Sequence, residues 1–184
     1  ETAVSTSVVL AKIFCDHVVS IGPAGCLDGS MVVGDTFRVG EVVAFQRGSW
    51  KAGVWGLAPE ATGRCVEFPN RALSSMKGGV LLASGEGFVA SNSARERIQN
   101  ETGAVAVDMN SFGFLRACIR FQREPVIIRV VSDNADDRAA EDFREFVAGY
   151  EGDLGLKLRE AILLMEPSPE NPEAHPAIRE LLAE

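Results

Sequence analysis

The chain has 184 residues, 46% of them hydrophobic and 24% charged, with a formal net charge of −8. That length suits one domain with a sizeable core, and the composition is that of an ordinary soluble globular protein. Acidity without a compensating Lys/Arg cluster argues against a nucleic-acid partner and against an anionic membrane, and leaves room for a small neutral or cationic ligand.

No segment approaches the ~20 consecutive apolar residues of a membrane span. The four cysteines (Cys15, Cys26, Cys65, Cys118) show neither CxxC nor zinc-like spacing, and the two histidines, His17 and His175, lie far apart. No metal and no cofactor are therefore expected, and the thiols read as reduced and buried in a cytoplasmic protein. Nothing at the start resembles a signal peptide; the chain opens inside a helical pattern and reads as a protein entered after its beginning.

In chain order, Ala3, Val4, Val8, Val9, Leu10, Ile13 and Phe14 predict an amphipathic helix over 2–15. HVVSI at 17–21 predicts a short buried strand, followed by a turn at Gly22–Gly25 (GPAG). Gly34, Asp35 and Gly40 punctuate β-rich runs, which predicts two or three strands before residue 48. Residues 48–70 have weak periodicity and much Gly and Pro, and predict a long loop over one end of the sheet. Trp50 and Trp55 would serve there as an oligomer interface or as a lid.

A strand is expected at Gly79–Ala83 before the polar run SGEGFVASNS, then a helix over 94–102. A further strand, 105–109, ends in Asp108–Met109–Asn110, and a helix over 111–122 turns Phe112, Leu115, Cys118 and Ile119 to the core. The next run, VIIRVV at 126–131, fits a strand buried on both faces and stops abruptly at Ser132–Asp133. Helices are expected over 138–150 and 154–165, then a proline-rich connector with a short terminal helix in 167–184. Alternating strands and helices predict an α/β fold, with residues 1–166 forming a mixed, mostly parallel central sheet flanked by helices.

Four strands thus end in polar, glycine-containing or acidic residues: GPAG, SGEGF, DMN and SD. In a mostly parallel sheet such ends gather on one edge and form a pocket. Asp133 would sit there as a carboxylate able to do proton chemistry, or would simply cap the following helix.

The segments IGPAGCLDGSMVVGD, SGEGFVAS, VAVDMNSFGFLRAC and PVIIRVVSDNAD, in this order and spacing, resemble the purine nucleoside phosphorylase and 5′-methylthioadenosine/S-adenosylhomocysteine nucleosidase superfamily over about residues 2–150. The resemblance implies that Asp133 is a general acid, protonating the purine so that it leaves neutral, with Ser132 orienting its carboxyl. It implies that Phe88 packs on the base, the backbone of Val89 reads the base edge, and Met109 lies against the sugar. Arg129 is expected as a buried partner of nearby carboxylates. Substrate contacts are expected from Gly22, Pro23, Ala24, Asp108 and Asn110, and a homodimer or higher homo-oligomer is implied.

Three departures shape the functional expectation. Asp108–Met109–Asn110 stands where the family has Glu-Met-Glu, so Asn110 can hydrogen-bond to sugar hydroxyls but supplies no negative charge. Pro23 replaces a hydroxyl-bearing residue and lacks a backbone N–H, which weakens any phosphate site. The family's initial strands, with a water-activating carboxylate, have no counterpart in the sequence. Hydrolysis of a purine nucleoside is therefore expected ahead of two alternatives, a catalytically degenerate nucleoside-binding protein and a phosphate-dependent phosphorylase.

Overall fold

The computed structural model describes residues 2–15, 17–51, 54–66 and 76–163. A helix, α1 (Thr2–Leu10), precedes strands β1 (His17–Cys26), β2 (Thr36–Ala44), β3 (Gly48–Lys51), β4 (Val54–Leu57) and β5 (Thr62–Arg64). Then follow β6 (Lys77–Ser84), α2 (Asn92–Thr102), β7 (Ala106–Asp108), α3 (Ser111–Arg120), β8 (Glu124–Asp133), α4 (Ala139–Gly149) and α5 (Asp153–Leu163). The expected α/β architecture is present.

The main sheet has the order β5-β2-β6-β7-β1-β8, and β8 also pairs with β2. That extra pairing closes β2, β6, β7, β1 and β8 into a barrel-like ring with β5 outside it. Parallel ladders β1–β8 and β2–β6 are the longest, while β1–β7, β2–β5 and β2–β8 are antiparallel. Every residue of β8 from Pro125 to Asp133 is buried, as a strand flanked on both faces requires. One core cluster lies between the sheet and α3 and joins Phe37, Val39, Leu82, Leu115, Cys118 and Ile127.

Several expectations need correction. GPAG is not a turn, because β1 runs through it to Cys26. Pro23 is tolerated because β7 pairs with β1 only at Gly25 and Cys26, which leaves that edge of β1 without a ladder at residue 23. The strand ends do gather, yet not because the strands are all parallel: β1 and β7 run in opposite directions, the last two residues of β1 pairing with the first two of β7, Gly25 opposite Val107 and Cys26 opposite Ala106.

α1 stops at Leu10, its one buried residue, while Val4, Val8 and Val9 stand exposed, as do Ile13 and Phe14 beyond it. It docks on α3 through small groups instead, with Thr2 and Ala3 lying over Gly113. In α3 the buried set is Ser111, Phe114, Leu115, Ala117 and Cys118; Ile119 is exposed and Phe112 half-buried, under the guanidinium of Arg47. The region expected as a loop holds the β3–β4 hairpin, a 3-10 turn at Pro59–Ala61 and the edge strand β5. The expected connector and terminal helix of 167–184, and residues 67–70, lie outside the described residues.

All four cysteines are free thiols; burial pushes Cys65 up to about 12 and Cys118 up to about 11. Among the described residues no helix is long and apolar enough to cross a membrane, and no three His, Cys, Asp or Glu side chains come together to hold a metal ion.

Candidate active site

A cavity of about 260 Å³ opens where the tips of β1, β6, β7 and β8 converge. Pro23, Ala24 and Gly25 of β1 form one wall, Phe88 and Val89 after β6 a second, and Asp108, Met109 and Asn110 after β7 a third. Ser132 and Asp133 close the β8 end. Nine of the ten residues singled out from the sequence therefore come together. Gly22 does not: it sits back in the β1–β8 ladder opposite Arg129.

Asp133 is 2% exposed. Burial pushes its carboxyl above the ordinary value of 3.8, helped by the charges of Asp142 and Asp136; hydrogen bonds from Ser132 and Ala135 pull the other way. The Ala135 N–H donates to Oδ1 at 2.9 Å and the Ser132 hydroxyl to Oδ2 at 2.7 Å. Ser132 Oγ is also 3.3 Å from the Ala24 carbonyl, a second acceptor for its single proton. When Asp133 gains a proton on Oδ2, Ser132 can turn to Ala24 and accept; once that proton is given up, Ser132 turns back and stabilises the carboxylate. Two local features make room for this arrangement. Ala135 sits at φ 52°, a left-handed backbone that an alanine rarely adopts. A methyl at Gly25 would lie 2.8 Å from Asp133 Oδ1, so the strand must be bare there.

Asp133 is not the cap of α4. That helix begins at Ala139, and Asp136 makes the bond to the Arg138 N–H.

Asp108 has the opposite environment. Its Oδ2 accepts from Arg129 Nε at 2.9 Å and from the Ser111 hydroxyl at 2.6 Å. The backbone N–H groups of Asn110 and Ser111 donate to its Oδ1 at 3.3 and 3.2 Å. A carboxylate at the start of α3 also faces the favourable end of the helix dipole. Arg129 is the carboxylate partner expected from the sequence, and the side chain of Asp108 belongs to this network more than to the cavity.

On the third wall, Met109 is 46% exposed and Asn110 is exposed, its Oδ1 accepting from the Thr2 hydroxyl at 2.9 Å. Four lining residues escaped the sequence reading: Gly25, Gly87, Val107 and Phe143. Phe143 comes from α4 and meets Phe88 edge to face, centroids 5.8 Å apart. Its place ten residues beyond Asp133, on a helix that follows the strand, was the available signal. Among the described residues that line the cavity there is no Lys or Arg.

The sequence profile of the phosphorylase superfamily matches residues 1–162. The chain belongs to that superfamily. Among curated members, the 5′-methylthioadenosine/S-adenosylhomocysteine nucleosidase of Staphylococcus saprophyticus is 28% identical over 159 residues, covering 80% of this chain and 69% of that protein. The Staphylococcus carnosus enzyme of the same name is 29% identical over 158 residues, with the same coverage of each chain. A solved structure of the Neisseria meningitidis nucleosidase in complex with methylthio-immucillin-A aligns with TM-score 0.68 at 28% identity, over 79% of this chain and 68% of that one. Futalosine hydrolase of Helicobacter pylori aligns with TM-score 0.78 at 22% identity, over 88% of this chain and 73% of that one, and supports the phosphorylase-superfamily fold.

Proposed function

We propose that this member of the superfamily hydrolyses the N-glycosidic bond of a purine nucleoside of the methylthioadenosine/S-adenosylhomocysteine type, with Asp133 as general acid. The observation that carries the reading is a buried carboxyl at the end of an apolar cavity, held towards its protonated form and flanked by a serine that serves both protonation states. Bond cleavage builds negative charge on the base, and a positioned acid typically accelerates such a step ~10²–10⁴-fold. Phe88, Phe143 and Val89 offer an apolar slot for a flat heterocycle, and Met109 and Asn110, at the exposed side, take the sugar.

Water is favoured over phosphate as the acceptor because the cavity walls supply no Lys or Arg among the described residues, and Pro23 supplies no N–H. A second reading, binding without turnover, is favoured by one observation: Asn110 offers a neutral amide, its oxygen already bonded to Thr2, where a carboxylate would favour a cationic sugar. The same proposal takes residues 1–166 as one domain of a cytoplasmic protein acting as a homodimer or higher homo-oligomer, in line with free thiols and the exposed apolar side chains of Val4, Val8 and Phe14.

Incubation with 5′-methylthioadenosine, with and without phosphate, tests it. Adenine release at equal rates in both supports hydrolysis; release only with phosphate establishes phosphorolysis; calorimetric binding without release establishes the binding protein.

A further inference from the structure

Arg129 is among the largest side chains that the fold buries completely, at 2% exposure, and it does not line the cavity. Its five N–H groups all find acceptors: Asp108 Oδ2 at 2.9 Å, the Ser20 carbonyl at 3.1 Å, the Ile128 carbonyl at 2.9 Å, Ser20 Oγ at 3.1 Å and Ser111 Oγ at 2.7 Å. One planar group thereby joins β8 to β1, to the end of β7 and to the first residue of α3. We propose that Arg129 is a positioning residue: acting through Asp108 and Ser111, it holds the Met109–Asn110 turn at a fixed distance from Asp133. This rests on the reading of the cavity as a purine nucleoside site.

The chain of constraint is short. Arg129 and Asp133 lie four residues apart on a strand that is buried from Pro125 onwards, so the guanidinium is fixed relative to the acid. Its Nε orients the Asp108 carboxylate, and that carboxylate accepts the backbone N–H groups of Asn110 and Ser111, which sets the course of the turn between them. Stability alone is a poor reason for such a pair, because apolar residues of similar volume are often as stabilising as a buried ion pair. What the fork-shaped guanidinium supplies is a single orientation. Orientation matters at this place, since a misplacement of about 1 Å between reacting groups can lower a rate by ~100-fold.

The test removes both charges together, as Asp108→Asn with Arg129→Met, so that no uncompensated charge is left buried. The double variant is expected to melt within about 5 °C of the parent. It should bind free adenine within threefold of the parent, because Phe88, Val89 and Phe143 lie off the network. Its kcat for adenine release should fall about 100-fold with KM little changed. A folded double variant with kcat within threefold of the parent overturns the proposal.

Should the double variant not fold, Ser111→Ala keeps both charges but removes the hydroxyl that bridges them at 2.6 and 2.7 Å. About a tenfold loss of kcat supports the proposal, and an unchanged kcat overturns it. If the parent binds but does not cleave, the same variants are read by calorimetry: methylthioadenosine affinity falls at least tenfold while adenine affinity holds, and equal losses, or none, overturn the inference. A parent that binds neither ligand overturns the nucleoside reading itself.

Discussion

Asp108 and Asp133 are the same residue in nearly the same situation. Each is the last residue of a strand, each lines the cavity, and they are 7% and 2% exposed. Only their neighbours differ. Asp108 has a guanidinium at 2.9 Å, a serine hydroxyl and the start of a helix. Asp133 has a serine hydroxyl, one backbone N–H and two further carboxylates, Asp136 and Asp142, whose charges oppose its ionisation. Burial penalises charge in both, and the fold supplies a cation to one and withholds it from the other. A strand-end carboxylate becomes structural or chemical according to whether a cation reaches it.

The contrast is broken most severely at the acid. Asp133→Asn keeps the hydrogen-bond geometry, since its amide can donate to Ser132 while Ser132 donates to Ala24, but it has no proton to transfer. Adenine release should fall ~10²–10⁴-fold while adenine affinity, measured by calorimetry, changes only a few-fold. Unchanged release assigns the chemistry elsewhere.

Next comes the structural carboxylate. Arg129→Met alone leaves Asp108 buried without its cation, which should destabilise the protein by about 3–5 kcal/mol and lower Tm by roughly 10 °C in a thermal melt. Gly25→Ala pushes a methyl against Asp133 Oδ1 and Ala135 Cβ. A destabilisation of about 1–3 kcal/mol is expected, with activity lowered more than the loss of folded protein explains.

The mildest test probes Asp133 by pH. The raised folded-state value of Asp133 means that its ionised form opposes folding above that value, and the penalty vanishes below the unfolded value near 3.8. Asp133→Asn should therefore melt above the parent at pH 7, with the gap narrowing as pH falls towards 3.8. In the parent, activity should decline as pH rises through the raised value, because the acid loses its proton. A melting gap that does not change with pH would show that Asp133 is not perturbed.

Much of this was legible in the sequence where the signal is local. The apolar run of β8 and its abrupt end at Ser132–Asp133 revealed both a buried strand and the place of the acid, because a strand buried on both faces admits few polar residues. The direction of β7 relative to β1 was not legible: a three-residue strand carries no mark of its partner, and the meeting at Gly25 and Val107 is a tertiary event. Pro23 and its glycines looked like a turn because their propensities are those of turns, yet an extended backbone fits them where one edge of the strand is unpaired. Phe143 was hidden for a related reason, since periodicity shows that a helix has an apolar side without showing that one ring on it reaches another element. The valines of α1 misled in the opposite sense: spacing suggested an inward face, but the helix lays Thr2 and Ala3 over Gly113 and buries only Leu10.

The β3–β4 hairpin has a practical consequence. The chain's two tryptophans are cross-strand partners in it, Trp50 in register with Trp55. Intrinsic tryptophan fluorescence is thus an optical probe of that hairpin. A ligand that fills the cavity without touching the hairpin will leave the emission unchanged, whereas local melting of β3 and β4 will alter it.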